Sequence, residues 1–248
     1  MMATIKAEFR KLLTVRSTYI VTALALALVI FFAFYIEGFR AEHAAVLSPH
    51  FLADQVTGAI NAVAVFGAII AVLLLTHEYR YNTIMYTLTA SNSRSKVLFA
   101  KILAVTVYAV IFTVIVAVLS PVMAYLGTQA HGLHLAHQTF SYGHLAWETL
   151  FYGWGEAMAG LLIATLTRNQ VGTVVALFIV PGIVEQLLSL LLKKDAVYLP
   201  FTALSQVVNQ NAMGGGSLTP GKAAGVFALY LVGGWVIAWI LFLRRDAN

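Results

Sequence analysis

The chain has 248 residues, 60% of them apolar and only 10% charged, with a net charge of +5 and a mean hydropathy of +0.86. A soluble domain carries roughly 25% charged residues, and a water-facing surface cannot be built from so few. The composition excludes a soluble enzyme, a nucleic-acid-binding domain and, because cysteine is absent, a secreted disulfide scaffold.

The apolar residues fall into six runs, approximately 18–36, 56–76, 97–126, 146–166, 171–192 and 223–243. A helix needs about 20 apolar residues to cross the hydrocarbon layer, and each run is long enough. The pattern predicts an all-α polytopic membrane protein, with six transmembrane helices in a single transmembrane domain over residues 1–248. Pro121 sits in the third run, where the helix is expected to tilt or break. The first run follows a basic segment but outlasts a signal-peptide core, with no small-residue cleavage site after it, so it reads as an uncleaved span.

Ahead of that span, residues 3–16 place Ile5, Phe9, Leu12 and Leu13 at i, i+4, i+7 and i+8. Lys6, Arg10, Lys11 and Thr14 fall elsewhere on the wheel. The spacing predicts an amphipathic helix lying in the headgroup layer, basic side toward anionic lipid. A charged stub that only orients the first span is the plainer alternative.

Six spans put both termini on one side. That side collects Lys6, Arg10, Lys11, Arg16, Arg80, Arg94, Lys96, Lys101, Arg168, Arg244 and Arg245, eleven cations. The other side holds Arg40, Lys193, Lys194 and Lys222, which is four. Positive charge accumulates on the cytoplasmic side of short loops, so both termini are expected in the cytoplasm of a cell (plasma or inner) membrane protein.

Two loops are more than connectors. Residues 77–96, between spans two and three, carry Tyr81, Ile84, Met85 and Leu88 at helical spacing, followed by Ala90-Ser91-Asn92-Ser93, which stops a helix. Such a short helix is either a docking surface for a partner or a loop helix packed on its own spans. On the outer side, residues 193–222 hold Pro200, Gly214–Gly216 and Pro220, and 199–208 is apolar enough to dip into the membrane as a short helix.

Three motifs come close to known chemistry. Gly216 to Lys222 approaches a phosphate-cradling P-loop, but Ala223 replaces the magnesium-binding hydroxyl and no buried strand precedes it. His77-Glu78-Tyr79-Arg80-Tyr81 begins like a zinc-protease helix, yet Tyr81 stands where the second ligand belongs. His131, His134 and His137 are spaced i, i+3, i+6, with His144 beyond, which offers either a weak metal site or a surface cluster of pH-dependent charge.

Carboxylates inside spans are costly. Glu156 lies near the middle of span four and Glu185 about two-thirds along span five. A charge at bilayer centre costs roughly 2.5–3.5 kcal/mol on insertion scales, so Glu156 must face protein or a wet cavity. It is either a contact for a cationic or polar substrate, a proton carrier, or a hydrogen-bonded structural residue. Trp154 beside it joins Glu156 and Glu185 as a substrate-pathway candidate. Around them, the small residues Gly153, Gly155, Ala157, Ala159 and Gly160 allow close helix approach, and Pro181-Gly182 should loosen span five.

Several segments are similar to those of the membrane-spanning permease subunit of an ABC-2 type (ATP-binding cassette) transporter. Glu8-Phe9-Arg10-Lys11-Leu12-Leu13-Thr14-Val15-Arg16-Ser17 resembles the interfacial elbow helix that opens such permeases. Glu78-Tyr79-Arg80-Tyr81-Asn82-Thr83-Ile84, Leu88-Thr89-Ala90-Ser91, Arg94 and Lys101 resemble the coupling-helix loop, and Arg244-Arg245-Asp246 the usual close. Asn82 stands where the family often has Gly, and Asn tolerates a left-handed turn; Asn92 stands where Pro is frequent.

The resemblance implies an ATP-driven exporter fold with elbow helix, cytoplasmic coupling helix and an outer re-entrant segment. It implies a separate ATPase, in two copies and binding ATP and magnesium, docked under Glu78, Arg80, Asn82, Thr83, Met85 and Leu88. It further implies a second permease subunit, identical or paralogous, no enzyme activity or cofactor of the chain's own, and a drug, antibiotic peptide or lipid-like substrate. The alternative is an ion-coupled secondary transporter using Glu156 and Glu185, for which an internal repeat would be expected.

Overall fold

Long apolar runs leave backbone amides no partner but one another, so the chain folds into helices. The computed structural model describes residues 1–91, 93–139, 141–209 and 217–244, and every regular element among them is helical. Asn92, Gly214–Gly216, Arg245 and Asp246, invoked above, lie outside the described residues.

Helix α1 (Met2–Thr14) is followed at once by α2 (Arg16–Phe31), whose last turns pass into a π-helical stretch, Phe32–Phe39. Extended Val15 makes the corner between α1 and α2. After short α3 (His43–Val46) come α4 (Phe51–Arg80), α5 (Ile84–Ser91) and α6 (Arg94–Ala130). Helix α7 (Tyr142–Thr167) leads through left-handed Arg168 to α8 (Gln170–Ile179). A π-helical bulge at Val180–Val184 joins α8 to α9 (Glu185–Leu192), and a 3-10 turn (Lys193–Tyr198) leads into α10 (Pro200–Gln206). The chain returns in α11 (Pro220–Arg244).

Five of these helical stretches are long and apolar enough to cross a membrane: Arg16–Phe39, Phe51–Arg80, Arg94–Ala130, Gln170–Tyr198 and Pro220–Arg244. Helix α7, the fourth of the six expected spans, is not among them although it is 26 residues long. Its glycines, Glu148 and Glu156 dilute its hydropathy. The packing explains why it tolerates them, because α4, α6 and α11 surround α7 and shield it.

The small residues of α7 each serve a different neighbour. A Cβ on Gly160 would sit 2.8 Å from the carbonyl oxygen of Ala68 in α4, and one on Gly153 would collide with Thr113 in α6. Gly155 leaves room for Leu204 of α10 and Phe227 of α11. Backbones meet as closely where the π-helical stretch crosses α6, with Gly38 against Gly127. Between these crossings lies the main core, with Ile60, Ala64, Leu75, Val105, Met158 and Leu161 fully or nearly buried.

Pro121 does not break α6, which runs unbroken through it. Pro181-Gly182 does disturb its helix, and the missing amide coincides with the π-helical bulge.

Candidate functional site

Helix α4 ends in a left-handed cap. Asn82 adopts φ +53°, the amide of Tyr81 donates to the His77 carbonyl and that of Thr83 to the Glu78 carbonyl, the bond pattern that closes a helix and turns the chain. The turn feeds α5, which is anchored by Ile84, 1% exposed, and by half-buried Leu88. Tyr81, Asn82, Thr83, Met85 and Tyr86 face outward, and Tyr86 is 77% exposed. Arg80 is exposed as well, and donates to Gln170 Oε1 at 3.3 Å.

Glu78 differs from its neighbours on this loop. It is 5% exposed, and its Oε1 accepts from Lys101 Nζ at 2.8 Å and from Lys11 Nζ. Lys101 is fully buried; it donates also to Glu8 Oε2 at 2.9 Å and to the Leu74 carbonyl at 3.1 Å. Lys11 in turn donates to Glu8 Oε1 at 2.7 Å. Two carboxylates and two ammoniums thus form one closed network among α1, α4 and α6. Burial, the largest single influence on Lys11, works to lower its pKa, but Glu8 and Glu78 together outweigh it and hold Lys11 above its ordinary value.

Burial divides the residues of both segments. The buried face of α1 is Glu8 with Leu12, while Leu13 is 66% exposed. Glu78 is enclosed by this chain's own α1 and α6 and does not share the exposed face of Tyr81, Met85 and Tyr86. Sequence did carry a signal: Lys101 falls among Val97, Leu98, Ala100 and Ile102, and a lysine inside an apolar run needs a named partner. Arg94, at the start of α6, reaches the carbonyls of Phe242 and Leu243 and caps the end of α11.

At the opposite end, a cavity of about 320 Å³ is lined by Asn61, Tyr152, Glu156, Glu185, Thr202 and Asn209, among others. Tyr152 donates to Asn61 Oδ1 at 2.8 Å. The two carboxylates have different surroundings. Glu185 is held by the amides of Phe201 (2.8 Å) and Thr202 (2.7 Å) and by the Thr202 hydroxyl (2.7 Å), so it caps the first turn of α10. Glu156 forms no ion pair with any described cation.

Trp154 is not part of this cavity. It lines a separate apolar groove with Ile102, Trp235 and Trp239, and its indole donates to Thr106 at 3.2 Å. The histidine segment is not helical: residues 133–139 lie along the chain near residues 46–52, pinned by Gln138 to the Leu52 amide and the Ser48 carbonyl. No group of three or more potential metal ligands gathers among the described residues, and His131 packs edge-on against Phe39.

A buried charge network thus lies beneath an exposed loop helix at one end of a bundle of long apolar helices. The family model for ABC-2 family transporter proteins matches residues 4–184, from α1 to the π-helical bulge before α9. The chain belongs to the ABC-2 transporter family. A comparison with curated proteins returned no match. As an ABC-2 protein the chain is a multi-pass membrane transport subunit, of a kind that works with an ABC ATPase and generally has no ATPase site of its own.

Proposed function

We propose that the chain is the permease of an ATP-driven exporter, working as a dimer with an identical or paralogous partner and two ATPase subunits that bind ATP and magnesium. The observation that carries this reading is the loop at 81–86. The turn and the helix after it, anchored from beneath by Ile84, present Tyr81, Thr83, Met85 and Tyr86 outward, a small aromatic and apolar face at the end of two long helices. Exposed aromatic and methionine side chains suit a protein interface.

In this reading α7 also crosses the membrane, as the fourth of six spans, and the charge bias puts both termini in the cytoplasm. Helix α1 is the elbow in the headgroup layer, and α10 is the outer re-entrant piece. Arg80, Asn82, Thr83, Met85 and Leu88 contact the ATPase, with Tyr81 and Tyr86 added to them. Glu156 faces the substrate pathway, and a drug, antibiotic peptide or lipid-like molecule is the substrate class that fits the family. The ion-coupled alternative has less support, because the Glu185 carboxylate it would use for protons is occupied in capping α10.

The test is purification of the tagged chain in mild detergent, with mass spectrometry of what accompanies it. A stoichiometric P-loop ATPase is expected, and the number of permease species decides between homodimer and heterodimer. Recovery of the chain alone, even after crosslinking, overturns the reading.

A further inference from the structure

We infer that Glu8, Lys11, Glu78 and Lys101 form a charge-neutral clamp that makes α1 and the α5 ends of α4 and α6 one rigid unit, so that α1 moves with α5. Its role in transport rests on the function proposed above; the clamp itself does not.

Three observations support it. First, the contacts are between elements and closed: Glu8 and Lys11 come from α1, Glu78 from α4 and Lys101 from α6, and each carboxylate bridges both lysines. Second, the network is dry at its centre, with Glu8 and Lys101 at 0% exposure and Glu78 at 5%, so water does not compete for the two bonds of Lys101, while the Lys11 side chain at the rim is 33% exposed. Third, Glu78 is fastened at both its ends. Its side chain holds α1 and α6, while its backbone carbonyl accepts the Thr83 amide at 2.8 Å and so closes the turn into α5. Lys11 also lies 3.4 Å from the Thr87 hydroxyl of α5 itself. A push on α5 therefore reaches α1 through two side chains with no flexible segment between. Glu8, Lys11 and Lys101 act as positioning residues through Glu78.

The cysteine-free sequence permits a direct test, because spin labels can be placed without background. Labels at Arg10 and Tyr86, both exposed, report the distance from α1 to α5; labels at Ile111 and Val175, exposed on α6 and α8, report the bundle. The variant E8Q/K11Q removes one charge of each sign and leaves the Lys101–Glu78 pair intact. In reconstituted full-length chain, the Arg10–Tyr86 distance distribution should widen about twofold while the Ile111–Val175 distribution stays as narrow as before. K6Q, which removes an exposed charge from the same helix, should change neither. An unchanged Arg10–Tyr86 width in E8Q/K11Q overturns the clamp. So does widening of both pairs in E8Q, in K11Q and in E8Q/K11Q alike, which would make the network a general stabiliser. Because these distances are read on the chain by itself, their outcome is independent of whether an ATPase co-purifies.

Discussion

The ammonium of Lys101 lies 2.9 Å from the carboxylate of Glu8, a residue 93 positions earlier in the chain. The two belong to different helices and neither is exposed. Removing one member strands its partners in a low-dielectric site, which typically costs about 3–5 kcal/mol. Lys101→Met should therefore destabilise strongly. Glu8→Gln combined with Lys101→Met, which leaves Lys11 paired with Glu78, should cost less than Lys101→Met alone. Denaturant melts of the parent, Glu8→Gln, Lys101→Met and the double variant in one detergent decide this, and additive losses would contradict it.

Lys11 gives the network a pH signature. Its pKa in the folded protein is raised above 10.5, its ordinary value. The stability it contributes is therefore fully present below 10.5 and lost as the pH rises through the higher folded value. Alkaline melting curves of the parent and of Lys11→Gln should converge above that point, with the parent more stable below it. Parallel curves across the range would show that Lys11 contributes through something other than its charge.

The cap on α10 predicts a local effect. Glu185→Ala removes the acceptor for two backbone amides and the Thr202 hydroxyl. Losing a helix cap costs about 0.5–2 kcal/mol, and α10 has only 7 residues over which to absorb it. Hydrogen exchange over residues 200–206 should accelerate while α4 and α6 stay protected; uniform exchange would place the role of Glu185 elsewhere.

Gly160 tests the packing of α7 on α4. Even an alanine there would put its Cβ 2.8 Å from a backbone oxygen of Ala68, which cannot rotate away. Overpacking of this kind costs about 1–3 kcal/mol. Gly160→Ala should lower the melting temperature, whereas Gly58→Ala, at a glycine with open space, should not.

Glu156 separates function from structure. Glu156→Gln keeps its shape and its place in the cavity, so assembly with an ATPase should persist while export falls several-fold. Unchanged export across substrates would make it a structural residue.

Hydrophobic periodicity made the helices legible: 3–16 appears as Met2–Thr14, 97–126 as Arg94–Ala130, and 199–208 contains Pro200–Gln206. Periodicity reports which residues avoid water, and that is what helix burial requires. The left-handed turn at Asn82 was legible from residue type, because Asn tolerates that conformation. Partners distant in the chain were not. Glu8 carried no reading of its own, because nothing local says that a lysine 93 residues later will meet it. Glu185 read as a pathway carboxylate because the amides it caps lie beyond a 3-10 turn. Trp154 and Glu156 are two positions apart on a helix, so they point to different cavities, and adjacency in sequence was a poor guide to shared function.

The crossing of Gly38 with Gly127 leaves no room for a side chain on either backbone. With no side chain between them, the backbones cannot slide without collision, and the contact lies near one end of α6, a helix of 37 residues. From Gly127 to Arg94 is about 50 Å at 1.5 Å per residue. A rotation of about 5° at the glycines would carry the other end through about 4 Å on that lever arm. The length of α6 thus sets how far the glycine crossing stands from the charge network: a rotation too small to disturb the crossing would still be of side-chain size at the network.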